Sequence, residues 1–448
     1  MTQQINHLQN TPKNVLLITR SFPPLTGSAV HRPTKFAKYL LRYNYQPFVL
    51  TATNFSDIQD AALLHDLPKG IAIQRVFSFE AEQLSLYIRK QFPHPSLLGL
   101  CLNLIYKLYS ILYYRLIIPD IAAGWLPLAH PAAMEIVRRN NIELIYIHAP
   151  PFSSFLIGSL LKRRLPHIPL VLDYDDPWTT IKRYYPGNIL QKAVVQSLEK
   201  NILTKADRII YCKPTIYESI IKKWPELRRD KFHFIPNGFD PDDFSMRQIG
   251  GNKRRIRIVY TGKLRPYYCY SPISFFHALR ALIDEGALDP DSLEVILAGL
   301  ISEQYRQLIQ SLHLDKTVQA IGHVSHREVK NLIASADILL FVMESEEGKE
   351  ASTEFSGSIP AKIFEYIYAG KPILAIAPPG YEADLLAVTK TGFRAEPNNV
   401  DDIKNTLSHL YRRLSDNTLE FNPDWNEIRK YDRNILTGDL AAVFSGLL

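Results

Sequence analysis

The second half of the chain contains the sequence SIPAKIFEYIYAGKP, residues Ser358 to Pro372, followed by the apolar run ILAIA at 373–377. Ser358 is a residue type that caps helices, and Pro360 suits the first helical turn. Gly370 suits the left-handed residue that follows a helix, and the next proline prevents the helix from continuing. The stretch therefore predicts one short helix that leads into a buried strand.

The start of this helix is suited to bind phosphate. Its first turn is formed by Ser358, Ile359, Pro360 and Ala361. Such a turn leaves backbone N–H groups unpaired and carries the positive end of the helix dipole. Glu365 lies further along, and its side chain leans back toward the helix start. A carboxylate only accepts hydrogen bonds, so Glu365 suits the hydroxyls of a ribose; a plain surface charge is the alternative.

Composition indicates a folded protein of two domains. The chain has 448 residues, of which 46% are hydrophobic and 22% charged. Its cysteines, Cys101, Cys212 and Cys269, match no metal-ligand spacing, which indicates reduced thiols in a cytoplasmic protein. Residues 1–14 contain no signal-peptide pattern. The net charge of +7 indicates an anionic partner, but nucleic-acid recognition motifs are lacking.

Apolar runs alternate with helical patterns along the chain, which predicts two doubly wound α/β domains facing across a cleft. Residues 1–240 are expected to form the first domain. The polar, glycine-containing segment 241–254 is the expected hinge. Residues 255–419 are expected to form the second domain, followed by a tail at 420–448.

Residues 95–118 are the least typical segment, rich in leucine, isoleucine and tyrosine. Four polar residues share one narrow helical stripe: Asn103, Lys107, Ser110 and Tyr114. Three interpretations are open: a core helix pair, an interfacial segment that dips into a bilayer beside Arg89 and Lys90, or a membrane span. A span needs roughly 20 apolar residues with few charges, and Lys107 and Arg115 argue against it.

The stretch at 358–372 resembles the nucleotide-sugar-binding helix of retaining glycosyltransferase family 4, which has the GT-B fold. The resembling branch carries the pattern IPAKIFEY-x-x-AGKPI in place of a pair of glutamates. Glu365 matches the second glutamate of that pair, but the first falls on Gly357, and Glu354 is only a conjectured replacement. The resemblance covers about residues 14–415. It includes a PD…GW-x-P pattern beginning at Pro119 and the junction PNGFD at 236–240.

This resemblance implies that a glycosyl group moves from a nucleotide-activated sugar to a hydroxyl with retained configuration, without a metal or cofactor. Lys263 matches the cation that follows the family's glycine, here Gly262, and would stabilise the leaving diphosphate with the helix start. Arg265 is a second candidate cation, at a different spacing from the family's. The resemblance also implies that the domain at 1–240 lies on the acceptor side and that the domain at 255–419 binds the nucleotide-sugar. The tail at 420–448 would cross back to the first domain.

Two loops of the first domain carry further candidates. Gly27 lies after the first predicted strand, where the family's loop approaches the donor phosphates or the acceptor; a simple turn is the alternative. His148 follows a strand predicted at 142–147, and ligands of open α/β sheets bind at that end of the strands. The family often carries a histidine there that contacts the sugar, and we do not expect His148 to be a general base.

Three acids lie at the end of the strand predicted at 169–173: Asp173, Asp175 and Asp176. We expect them to position the acceptor or cap the next segment rather than hold a metal. The resembling branch typically has arginine at Asp175, so this chain departs from the family there.

The basic charge and the 95–118 segment favour a lipid-linked acceptor or growing surface glycan at the inner face of the cytoplasmic membrane. The expected protein is then a cytoplasmic or peripheral enzyme in contact with anionic lipid. Two alternatives remain. One is a nucleotide-sugar epimerase of the same fold, in which water completes the reaction. The other, suggested by Gly357 and Asp175, is a catalytically idle partner subunit that only binds nucleotide.

Overall fold

The computed structural model describes residues 11–53, 59–91, 97–179, 188–244, 255–265, 271–343 and 362–448. The chain divides into two compact units. The first comprises the chain up to Pro236 together with Arg433–Leu448, and the second comprises Asn237–Asp432. The sequence predicts a boundary at residue 240 and a tail from residue 420; the structure divides the chain four residues before that boundary and returns to the first unit at Arg433.

The first unit is built on seven strands. They are β1 Lys13–Ile18, β2 Tyr45–Ala52, β3 Ala72–Val76, β4 Leu144–Ala149, β5 Leu170–Tyr174, β6 Arg208–Tyr211 and β7 Phe232–Phe234. Their order in the sheet is β3-β2-β1-β4-β5-β6-β7, and every neighbouring pair is parallel. The accompanying helices are α1 Ser28–Leu40, α2 Ala62–His65, α3 Ala81–Gln91, α4 Leu97–Leu116, α5 Leu126–Arg139, α6 Ser153–Arg164, α7 Ile189–Lys205 and α8 Pro214–Lys223.

The second unit contains a six-stranded sheet. Its strands are β8 Ile256–Thr261, β9 Leu293–Ala298, β10 Val318–Gly322, β11 Ile338–Val342, β12 Ile373–Ile376 and β13 Gly392–Ala395. Their order is β10-β9-β8-β11-β12-β13, again with parallel pairs throughout. The remaining helices are α9 Ile273–Asp284, α10 Glu303–Ser311, α11 His326–Ser335, α12 Lys362–Tyr368, α13 Tyr381–Val388, α14 Val400–Ser415, α15 Trp425–Arg429 and α16 Arg433–Ser445, the last belonging to the first unit.

Each sheet separates two apolar cores. In β1, Leu16 and Ile18 join one core, while Val15 and Leu17 join the other, because successive side chains of a strand point to opposite faces. Strands buried on both faces are typical of parallel sheets. The second unit repeats this arrangement, with separate cores on the two faces of its sheet. The prediction of doubly wound α/β domains is therefore confirmed.

Both sheets reverse their strand order at one point. In the first sheet β1 neighbours β4, and in the second β8 neighbours β11. Ligands of open α/β sheets bind at the carboxyl ends of the strands at such a switch point. We therefore expect a ligand to bind at the loops after β1 and β4 in the first sheet and at the loop after β8 in the second.

One strand boundary differs from the prediction. Helix α1, by comparison, begins at Ser28, and its first turns carry the buried Val30 and Arg32. Strand β4 extends to Ala149, so His148 lies inside the strand and not after it. Apolar patterning predicted neither α13 nor β13.

Helix α4 pairs with α3 in the first unit, but it is not a core helix. Leu104, Leu108 and Ile111 are more than half exposed. Among the helices that the structure describes, none combines the length and apolar character needed to cross a membrane.

Candidate functional site

His148 is fully buried at the carboxyl end of β4, beside its register partner Asp173 on β5. Its Nε2 lies 3.9 Å from Oδ2 of Asp175. Neither ring nitrogen has a hydrogen-bond partner among the described residues. Buried polar atoms normally have hydrogen-bond partners. Both ring nitrogens of His148 could therefore form a hydrogen bond with a ligand, next to the carboxylate of Asp175.

Asp173 is taken up by an internal ion pair. Its carboxylate accepts two hydrogen bonds from Arg32, Nε to Oδ2 at 2.7 Å and Nη2 to Oδ1 at 2.9 Å. Tyr146 donates a third hydrogen bond at 2.5 Å. Arg32 also donates to the carbonyl oxygens of Ile235 and Pro236, each at 2.9 Å. This network fixes α1 to the sheet edge, and Asp173 is fully buried with three hydrogen bonds from protein groups.

Asp175 is the more accessible acid, with 16% of its side chain exposed. Its Oδ1 accepts a hydrogen bond from Sγ of Cys212 at 3.3 Å. Burial and the nearby Asp175 charge raise the pKa of the Cys212 thiol, so the thiol stays protonated. Asp176, the third predicted acid, is buried with 8% of its surface exposed.

Arg433 brings a second guanidinium to this edge from the first residue of α16. It is buried, and burial together with the charge of Arg32 lowers its pKa to about 10, whereas Asp175 and Asp173 act in the opposite direction. Arg433 therefore remains charged at neutral pH. Sequence reasoning gave no role to Arg32 or Arg433, because no local motif marks either residue.

Gly27 immediately precedes α1 and has φ +124°. A Cβ at this position would meet no atom within 4 Å, so the backbone conformation rather than a close contact requires glycine.

The loop after β8 carries three of the predicted donor-side residues. Gly262 has φ +136°, and Lys263 and Arg265 are exposed. A Cβ on Gly299, after β9, would come within 2.0 Å of the Gly262 carbonyl oxygen, so these two loops meet through their backbones. The result is an open, cationic edge at the switch point of the second sheet.

Lys362 is a cation that sequence reasoning missed. Its Nζ lies 3.7 Å from the ring centre of Tyr260 and 3.4 Å from the position that a Cβ on Gly262 would take. Lys362 is the first described residue of α12, within the IPAKIFEY pattern. Its position in the first turn of a helix predicted to bind phosphate could have identified Lys362 from the sequence.

Glu365 of α12 forms an ion pair with Lys330 of α11. Lys330 is buried, and its ammonium lies 4.7 Å from the ring centre of Phe244. In this pair 21% of the Glu365 side chain remains exposed. The predicted left-handed residue Gly370 has φ +60°, as expected. Ser358, Ile359, Pro360 and Ala361 lie outside the described residues.

Two glycosyltransferase families match adjacent parts of the chain. Residues 106–243 match the family described as Glycosyltransferase Family 4. Residues 242–418 match the family described as Glycosyl transferases group 1. The two matches meet near the division between the structural units.

A curated relative is the phosphatidylinositol N-acetylglucosaminyltransferase GPI3 subunit of Saccharomyces cerevisiae (strain RM11-1a), 28% identical over 218 residues. The alignment covers 47% of this chain and 45% of that protein, so it spans slightly less than half of the relative.

Solved structures show the fold over nearly the whole chain. Sucrose-phosphate synthase from Thermosynechococcus elongatus superimposes with a TM-score of 0.62 and 13% identity, covering 97% of this chain and 99% of that one. The E. coli trehalose-6-phosphate structure bound with UDP-2-fluoro glucose gives a TM-score of 0.60 and 13% identity, covering 97% and 99%. The chain therefore has the architecture shared by these proteins.

Proposed function

We propose that the chain transfers a sugar from a nucleotide-sugar to a hydroxyl of a lipid-linked acceptor. Two glycosyltransferase families that match adjacent parts of the chain support this proposal. The observation that carries this proposal is the cationic edge of the second sheet, where Lys263 and Lys362 lie beside Gly262. A nucleoside diphosphate is the ligand whose charge this edge complements.

On the donor side, the diphosphate binds against the loop after β8. Negative charge grows on the leaving diphosphate as the bond from the sugar's anomeric carbon breaks, and fixed cations stabilise that charge most in the transition state. Lys263 and Lys362 supply this charge, with Arg265 as a further candidate. The first turn predicted at 358–361 remains a proposed second contact for the phosphates.

Glu365 is the proposed ribose ligand. Its carboxylate accepts hydrogen bonds from the ribose hydroxyls, and the ion pair with Lys330 orients it. Lys330 is therefore a positioning residue for donor binding.

In the first unit, Asp175 and Asp176 are the proposed acceptor ligands, and His148 lines the sugar site. Asp173 holds α1 in place through Arg32, so we assign it to the support of this edge. This carboxylate is fully buried and already accepts three hydrogen bonds from protein groups, so we do not assign it to the acceptor.

We propose transfer with retention of configuration. The bond between the anomeric carbon and the diphosphate oxygen breaks, and the acceptor oxygen forms its new bond on the same face of the sugar. The departing diphosphate oxygen takes the acceptor proton, so the protein supplies orientation and charge and no general base. The cations at the edge of the second sheet stabilise the charge of the leaving diphosphate, which is the role of a metal ion in other transferases.

The lipid-linked acceptor and a location at the inner face of a membrane belong to the same proposal. They are supported by the relative, named for transfer to phosphatidylinositol, and by the net charge of +7.

The test is incubation with a panel of labelled nucleotide-sugars, with and without membrane lipid extract. Label that moves into the lipid fraction only when extract is present supports the proposal. An epimerised sugar with free diphosphate and no acceptor would instead identify an epimerase. Binding of a nucleoside diphosphate without turnover on any acceptor would identify an idle subunit.

A further inference from the structure

One side of α4 is apolar and faces solvent. Leu104, Leu108, Ile111 and Leu112 are 71%, 64%, 54% and 51% exposed. Their spacing places them on one side of the helix, here called the outer face. Single exposed apolar residues are ordinary on protein surfaces, but a contiguous apolar face usually marks an interaction site.

The start of α7 extends this surface. Nε2 of Gln191 donates a hydrogen bond to the carbonyl oxygen of Arg115 at 2.9 Å, which joins the start of α7 to the end of α4. Ile189 and Leu190, the first two residues of α7, are 82% and 73% exposed. Two elements far apart in sequence thus bring their exposed apolar side chains together.

The surroundings of this surface are basic. Lys107 and Arg115 lie on α4, Lys192 lies on α7, and all three are exposed. Helix α4 contains no acidic residue, and α3 ends in the exposed Arg89 and Lys90, with Glu82 at its opposite end. Two copies of the chain meeting through the outer face would bring like charges together, whereas anionic lipid would neutralise them.

Hydrogen bonds connect the end of α4 to the segment that follows it in the first unit. Tyr113 of α4 donates to the Ile121 carbonyl at 2.6 Å and accepts from the Gly124 N–H at 3.1 Å. In the segment between α4 and α5, Asp120 accepts a hydrogen bond from the N–H of Ser153 at 2.8 Å. Ser153 begins the helix that follows β4. The outer face therefore has a defined position relative to the loop after β4.

We infer that the outer face and the start of α7 form a docking surface for a bilayer rich in anionic phospholipid. The leucine and isoleucine side chains enter the boundary between headgroups and acyl chains, and the flanking cations contact lipid phosphates. The inference deepens the proposed function and rests on it for its purpose, which is to bring the enzyme to a lipid-linked acceptor.

Sedimentation with vesicles tests the inference directly. We expect the protein to sediment with phosphatidylglycerol-containing vesicles and at least tenfold less with pure phosphatidylcholine vesicles. The double variant Leu108→Gln with Ile111→Gln should lose at least tenfold in vesicle affinity. The matched control, Val388→Gln with Ile435→Gln, changes two apolar residues that are 49% and 45% exposed on other elements and should bind as the wild type does.

The inference is overturned by either of two results: wild-type protein that stays in the supernatant with anionic vesicles, or equal losses in both double variants. Gel filtration in the absence of lipid gives a further check. A dimer that the outer-face variant dissociates would show that a second copy, and not lipid, covers this surface.

The two proposals fail independently. Turnover of donor with a water-soluble acceptor analogue does not require the bilayer, so the outer-face variant should retain it. If the protein docks on vesicles but transfers no sugar, the proposed function is wrong and the docking surface stands.

Discussion

At the scale of residues, the charged side chains at the edge of the second sheet differ in their surroundings. Lys263 is exposed and open to a ligand, whereas Lys362 packs its ammonium over the Tyr260 ring and Glu365 pairs with Lys330. The same short helix thus presents a cation toward Gly262 and a carboxylate held by a buried lysine.

Substitution of Lys263 tests leaving-group stabilisation. We expect Lys263→Ala to lower kcat by about a hundredfold, the scale seen when one transition-state charge contact is removed, with a smaller change in KM. Steady-state assays with the best nucleotide-sugar measure it. Lys316→Ala removes another exposed lysine of the second unit, before β10, and should leave kcat unchanged. A near-normal rate for Lys263→Ala would remove this residue from the leaving-group site.

Substitution of Glu365 tests ribose binding. Glu365→Ala should weaken nucleoside diphosphate binding about tenfold, because hydrogen bonds to a charged group contribute roughly 1.5 kcal/mol or more. Titration calorimetry measures the affinity, and circular dichroism verifies folding. Glu303→Ala on the exposed start of α10 serves as the control. Unchanged affinity in Glu365→Ala would contradict the assigned role.

At the scale of elements, α7 and α8 meet through a buried polar cluster. Glu199 contacts Thr179 and lies 3.6 Å from Nζ of Lys223. Burial raises the pKa of Glu199 to about 7, although Thr179 and Lys223 act in the opposite direction. A carboxyl whose pKa is raised on folding binds its proton more tightly in the folded state.

This raised pKa predicts a pH dependence of stability. The folded state holds the Glu199 proton between the ordinary carboxyl pKa and about 7, so the free energy of unfolding should fall as pH rises through that interval. The expected fall is on the order of 3 kcal/mol. Urea unfolding from pH 4.5 to 8 should show it in the wild type and not in Glu199→Gln.

Glu226→Gln is the control for this experiment. Glu226 is a half-exposed partner of Lys200, and its pKa is lowered by that lysine, so its titration contributes below the interval. A slope that persists in Glu199→Gln would show that another group causes the pH dependence.

At the scale of the whole molecule, the end of the chain belongs to the first unit. Phe444 of α16 is fully buried and packs edge-to-face on Tyr45 and Tyr146, with ring centres 5.4 and 5.9 Å apart. The core of the first unit is therefore completed by residues that follow the whole second unit along the chain.

Removal of this ring tests the assignment. Phe444→Ala should destabilise the first unit by about 3–5 kcal/mol, the usual cost of deleting a buried aromatic side chain. Calorimetry of the full chain should show a lowered transition for one unit and an unchanged transition for the other. Leu448→Ala, at a residue 42% exposed, should shift neither. A uniform shift of both transitions would contradict the separate cores.

The sequence alone determined the alternation of strands and helices, the two doubly wound domains, and the left-handed Gly370. These features depend on local periodicity and turn chemistry, which can be read within a few residues. Lys263 and Glu365 were proposed from short local patterns as well, and their roles stay predictions.

Only the tertiary structure decided which charges meet. Arg32 with Asp173, Arg433 near Asp175, Lys362 beside Gly262, and the joined apolar surfaces of α4 and α7 all involve partners far apart in sequence. No periodicity encodes such contacts, because they arise when packing of the sheet brings distant segments to one edge. Burial then changes the chemistry of each group, as it does for the pKa of Arg433.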